Sequence, residues 1–143
     1  FGRSFLSCIP DRIDLNKESV MELSAVLQDY GIGVMATADG EGNVNTAIYA
    51  RPHIVDANTL VWGMTDGRSF RNLKQNPRAA YLLKQSGPGF RGARIALELL
   101  RTEDEGEMLE EIRRRANEVV GPGAGKAVTH AAWFRIVEVR PLI

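Results

Sequence analysis

A single cysteine, Cys8, and two histidines, His53 and His130, are all that 143 residues offer in soft metal ligands. One thiol cannot form an internal disulfide, and no set of thiolates is there for zinc, so no metal site is expected. Charge of one sign is lacking too, since 18 basic residues balance 18 acidic ones. No overall field then draws the chain to nucleic acid or to an acidic membrane, and a charged ligand must be met by a local cluster. No run approaches the roughly 18–20 apolar residues that span a bilayer. The opening FGRSFLSCIPDRID has an early arginine but no continuous apolar core, so it does not read as a signal peptide. The expectation is a cytoplasmic protein with neither nucleic acid nor membrane as a partner.

What is present suits a single domain, 1–143, with 1–15 as an N-terminal arm; 44% of the residues are apolar and 25% charged. NKESVMELSAVLQDYG reads as a helix capped by Asn16, with Val20, Leu23, Val26 and Leu27 on one face and Gly31 at its end. Three strands follow near 32–38, 44–55 and 59–64, turned by DGEGN and DAN; Pro52 implies an edge or a bulge in the second. GRSFRNLKQN is a short helix that must close before Pro77. RAAYLLKQ and ARIALELLR are strands separated by SGPGFRG, and AAWFRIVEVR is the last. Before it, TEDEGEMLEEIRRRANEVV forms a second long helix, with Leu109, Ile112, Ala116 and Val119 as its buried stripe and Glu110–Arg114 and Glu111–Arg115 as ion pairs. Six strands joined mostly by short turns predict a mainly β, α+β fold, a six-stranded antiparallel split barrel with helices packed outside.

Two glycine-rich stretches mimic nucleotide motifs. GPGFRG, residues 87–92, spells G-x-G-x-x-G, yet a strand follows it where the dinucleotide fold needs a helix. GPGAGKA, residues 121–127, resembles a phosphate-binding loop, but Val120 takes the place of its first glycine and Ala127 that of its magnesium-binding hydroxyl. The first is a tight, mobile loop and the second a flexible linker.

TDGRSFRNL is different, because it places donors where a strand passes into a helix. The first N–H groups of a helix lack intrahelical partners, which makes an anion site. Ser69 can add a hydroxyl donor and Arg71 a forked, permanently charged one, while Phe70 and Leu73 anchor the helix. The same residues also read as a solvated face of Arg68, Arg71 and Lys74, with Ser69 a plain N-cap.

The pattern A-T-x-x-G-x-G-N from Ala36 to Asn43, followed by T-x-x-x-S-x-R-N-L-x-x-N-P from Thr65 to Pro77, resembles the pyridoxamine 5′-phosphate oxidase-like, FMN-binding split-barrel superfamily. The resemblance runs from about Leu23 to Leu100, and YARPHIVDANTLVW is similar to oxidase-related members. It implies a homodimer with FMN in a cleft between subunits. It further implies that Ser69 and Arg71 hold the FMN phosphate, that Thr65 faces the cofactor, and that Tyr49, Ala50 and Arg51 run along the isoalloxazine ring. Arg68 joins this set by charge and proximity, and Phe90, Arg91 or Trp133 are candidates to reach across from the partner. The chain ends at WFRIVEVRPLI without the arginine and tryptophan cluster by which the true oxidase grips pyridoxal phosphate, which argues against vitamin B6 chemistry.

With FMN bound, the redox chemistry is the flavin's. Arg51 is a candidate to stabilise the reduced ring, or else an ion pair on a barrel strand. No acid–base dyad or nucleophile stands out, so no catalytic residue is assigned. The first reading is a small FMN-dependent oxidoreductase fed by NAD(P)H or a protein electron donor. The alternatives are an electron-carrier module without a substrate pocket, or a split barrel that uses haem or a deazaflavin.

Overall fold

The computed structural model describes residues 17–28 and 31–143; the expected N-terminal arm and the Asn16 cap lie outside them. Helix α1 (Lys17–Gln28) turns Leu23 and Leu27 into the core, with Val26 packed beside them. Seven strands follow in one antiparallel sheet: β1 (Gly31–Ala38), β2 (Val44–Ile48), β3 (His53–Asp56), β4 (Thr59–Met64), β5 (Arg78–Gln85), β6 (Gly92–Glu103) and β7 (His130–Arg140). Their spatial order is β2-β1-β5-β6-β7-β4-β3, so β2 and β3 are the two edges. Helix α2 (Arg68–Gln75) leaves β4, and α3 (Glu107–Val119) joins β6 to β7.

The one expected strand over 44–55 is therefore two, giving seven strands where six were predicted. The chain leaves the ladder after Ile48, passes Pro52, and rejoins the sheet at its opposite edge. A proline cannot donate to a ladder, which is why the break falls there. Ladder hydrogen bonds do not close the sheet, and the crossover at Tyr49–Pro52 links its edges instead.

Buried donors hold that crossover. The Trp62 indole donates to the Ala50 carbonyl at 2.9 Å, and the Tyr81 hydroxyl lies 3.1 Å from the Tyr49 carbonyl and 3.3 Å from that of Ala50. Trp62, Tyr81 and Phe134 form an aromatic centre, with ring centroids 4.7 Å apart for Trp62–Tyr81 and 5.5 Å for Trp62–Phe134. Alternating inward residues fill the rest: Met35 on β1, Leu60 and Met64 on β4, Leu83 on β5, Ile95 and Leu97 on β6. Gly33 has to be glycine, since a Cβ there would stand 1.9 Å from the Tyr81 hydroxyl and 2.6 Å from the Tyr49 carbonyl.

Outside the barrel, Leu109 and Ile112 of α3 pack on Val61 and Ala131. Val119, expected in that stripe, is 65% exposed and lies at the mouth of a cavity beside the helix instead of in the core. The predicted ion pairs also shift by one residue: Arg113 meets Glu110, and Arg114 meets both Glu111 and Glu118. Nor is 121–130 a mere linker. A 3-10 turn at Ala124–Ala127 folds back onto α3, where the buried Gly125 N–H donates to the Asn117 side chain at 2.7 Å.

Burial pushes the Tyr81 phenol up to about 12. The folded chain keeps this proton where the unfolded chain, near pH 10, loses it, so stability falls as pH rises from about 10 to 12. Tyr81→Phe is expected to remove that part of the slope in urea denaturation followed against pH. At neutral pH it should cost about 1–3 kcal/mol, since the Tyr49 carbonyl loses its side-chain donor while that of Ala50 keeps the Trp62 indole.

Candidate functional site

Helix α2 begins at an N-cap, Gly67, which has no side chain to occupy the helix end. The first intrahelical bond is Arg71 N–H to the Gly67 carbonyl, at 3.0 Å. The N–H groups of Arg68, Ser69 and Phe70 precede it, and no acidic residue sits in the first turn. An anion placed here meets unpaired donors and the positive end of the helix dipole. Phe70 and Leu73, each 2% exposed, fix the helix on the barrel as their spacing predicts. Asn72 adds a buried bond to the Thr37 hydroxyl at 3.1 Å, which ties α2 to β1. His130 stacks on Phe70 at 3.7 Å with rings nearly parallel, and its Nδ1 meets Asp104 at 2.8 Å.

A groove of about 380 Å³ opens beside this helix end, with Asn43, Asn45, Arg68, Arg71 and Gln75 among its walls. Arg68 and Arg71 are exposed in it, and Arg71 makes only a long 3.4 Å bond to the Asp66 carbonyl. Asp39 also lines the groove, but the Asn43 side chain and the N–H groups of Asn43 and Glu41 satisfy its carboxylate and hold it below the usual carboxylate range.

Ser69 is not the N-cap. It is buried one residue into the helix, at 4% exposure, beneath the groove. The Asn45 amide donates to its hydroxyl at 3.3 Å, and the pKa of the Tyr49 phenol, raised by burial, is lowered in part by the same hydroxyl. Ser69 thus fastens the start of α2 to β2. Arg68, Arg71 and the backbone N–H groups are the donors left facing the groove.

The structure separates the remaining candidates. Thr65, at the end of β4, is exposed, and its carbonyl accepts from Gly67 N–H at 2.9 Å. Tyr49 points to Ser69, whereas Ala50 and Arg51 line a second cavity between the β3–β4 edge and α3. Arg51 also donates to the Gln28 carbonyl at the end of α1, where a cation suits the negative pole of the helix. Phe90 is 65% exposed in its loop, while Trp133 packs within its own chain under the Arg101 guanidinium, 3.9 Å from the ring centre.

Sequence reasoning missed Asn45, although Asn45 on β2 and Tyr49 just beyond its end are an even number of residues apart, an available signal that they share a face. It also left His53 unassigned. Across the barrel wall, Arg115 of α3 comes within 3.1 Å of His53 Nδ1, sixty-two positions away in the chain. An arginine only donates, so Nδ1 accepts and Nε2 carries the proton. Burial, and then the positive charge of Arg115, hold the imidazole below its ordinary value.

No family model matches the sequence, and no curated protein matches it. Solved structures do. An FMN-binding protein from Syntrophomonas wolfei subsp. wolfei superposes with a TM-score of 0.77 at 17% identity, over 99% of this chain and 94% of its own. A candidate pyridoxamine 5′-phosphate oxidase from Listeria innocua gives 0.66 at 16%, over 85% and 96%. An F420 reductase gives 0.61 at 19%, over 82% and 94%. At such identities the likeness is one of fold: this chain shares with these proteins a mainly β, α+β split-barrel fold. Among the described residues, no helix is long and apolar enough to cross a membrane.

In an NMR titration, the His53 imidazole should titrate below 6.5 and move upward in Arg115→Met. Because its folded value is depressed, the unfolded chain binds the proton first, and His53 withdraws stability as pH falls below about 6.5. A value at or above 6.5 in the wild type would contradict the Arg115 contact.

Proposed function

We propose that this chain is a flavin-binding protein that takes FMN, with the phosphate in the groove at the start of α2. The observation that carries the reading is that groove: two exposed arginines, free first-turn N–H groups and no acid in the first turn, at the position where the TDGRSFRNL block resembles the superfamily's phosphate cradle. Arg71 and Arg68 bind the phosphate, the backbone N–H groups orient it, and Ser69, held by Asn45 and Tyr49, sets the angle of the helix end. By the same resemblance, Tyr49, Ala50 and Arg51 would border the ring and Thr65 would face the cofactor. The S. wolfei FMN-binding protein of the same fold supports the choice of flavin.

Bound flavin supplies electron transfer; the protein contributes position and charge. We read the activity as that of a small oxidoreductase, fed by NAD(P)H or a protein donor. A homodimer completes the cleft. The outer face of β2-β1-β5-β6 supports this, with Val44, Ile48, Ile32 and Leu82 exposed and Val34 paired between Ile48 and Leu82. Arg94 and Arg140 flank this face opposite each other, Arg140 paired with Glu138 at 2.7 Å. A two-fold axis sets an apolar patch against itself.

Two measurements test these readings. Purified protein mixed with FMN and washed should keep flavin absorption bands, and Arg71→Ala should raise the FMN Kd at least roughly tenfold, the effect of about 1.5–3 kcal/mol for a charge-assisted bond. Ser69→Ala should raise it less. Protein that retains no flavin, or an Arg71→Ala variant with unchanged Kd, defeats the phosphate assignment, while a Soret band would point to haem. In light scattering the wild type should have twice the chain mass and Leu82→Glu the mass of one chain; a monomeric wild type holding FMN would refute the shared cleft.

A further inference from the structure

The second cavity, between the β3–β4 edge and α3, has about 160 Å³ of space. That is close to the size of an apolar protein cavity known to take up benzene, about 150 Å³. Its walls are largely aliphatic, with Val61, Ile112, Ala116 and Val128 among them, and His53 and Arg115 supply charge and donors.

Arg115 is the uncompensated member of the run Arg113–Arg115. Arg113 bonds Glu110 at 2.7 Å and the Val128 carbonyl at 2.8 Å, and Arg114 bonds Glu111 and Glu118. Arg115 has no carboxylate within ion-pair distance among the described residues, and its hydrogen bond goes to the neutral His53 ring. Glu111 lies near enough to act on both groups only through its field. Apolar space beside a half-buried guanidinium and an imidazole N–H favours a ligand that is apolar at one end and anionic at the other.

We propose that this cavity is a subsite for a small carboxylic acid carrying one aromatic ring or a branched aliphatic group. The ring or branch fills the space between Val61 and Ile112, and the carboxylate takes donors from Arg115 and the His53 Nε2–H. Ala50 and Arg51 border the same cavity, so the subsite lies against the segment assigned to the flavin ring. That the ligand is a substrate rests on the flavin reading; that it binds does not.

Benzoate is the probe, added to the full chain with and without FMN and followed by the His53 imidazole resonances and by calorimetry. Benzoate should shift those resonances and bind at least about tenfold more tightly than benzyl alcohol. Arg115→Met should lose that preference, and Ala116→Leu, which fills the cavity and leaves Arg115 in place, should lose benzoate binding. If Arg115→Met fails to fold, the benzoate–benzyl alcohol contrast on the wild type and the Ala116→Leu result still decide. Benzoate that leaves His53 unmoved, binds no better than benzyl alcohol, or binds Ala116→Leu as well as the wild type overturns the proposal. Binding of benzoate without retention of FMN would instead sink the flavin reading and leave this one standing.

Discussion

The capture of two backbone carbonyls, those of Tyr49 and Ala50, by Trp62 and Tyr81 is what the architecture depends on. A chain that leaves one edge of a sheet for the other strips its carbonyls of ladder partners, and buried carbonyls without donors are costly. Side-chain donors from β4 and β5 make that passage possible, and Gly33 leaves room for it. The crossover in turn places the two cavities. Tyr49 turns towards Ser69 and the groove at α2, while Ala50 and Arg51 turn towards α3.

Both cavities show how a chain of zero net charge can keep local positive charge. The balance of 18 against 18 is an average over pairs that cancel locally, as Arg113 and Arg114 do with glutamates on α3. Arg68 and Arg71 have no carboxylate in ion-pair contact among the described residues, and neither has Arg115. The positive charge that remains is theirs. The half-buried guanidinium of Arg115 is worth more than the exposed ones of Arg68 and Arg71, because its surroundings screen it less.

Much of this was legible from local chemistry. Apolar runs between turn residues marked β1, β4, β5 and β7, and Pro77 closed α2 as expected, with Asn76 extended at φ −141°. Pro52 signalled an irregularity, though the sequence did not say that it separates two strands on opposite edges. The ion pairs on α3 could be expected but not their partners, since Glu110 has arginines at both three and four positions' distance and side-chain rotamers choose between them.

By itself the sequence determined the kind of fold and marked where a strand passes into a helix beside two arginines. Periodicity, turn residues and a helix start are properties of neighbours in the chain, and TDGRSFRNL carries its donors within one turn. Tertiary structure alone decided that Ser69 is buried with its hydroxyl against Asn45, and that His53 meets Arg115 across sixty-two positions. Those contacts depend on which faces of distant strands and helices are pressed together, and that follows from packing the whole barrel.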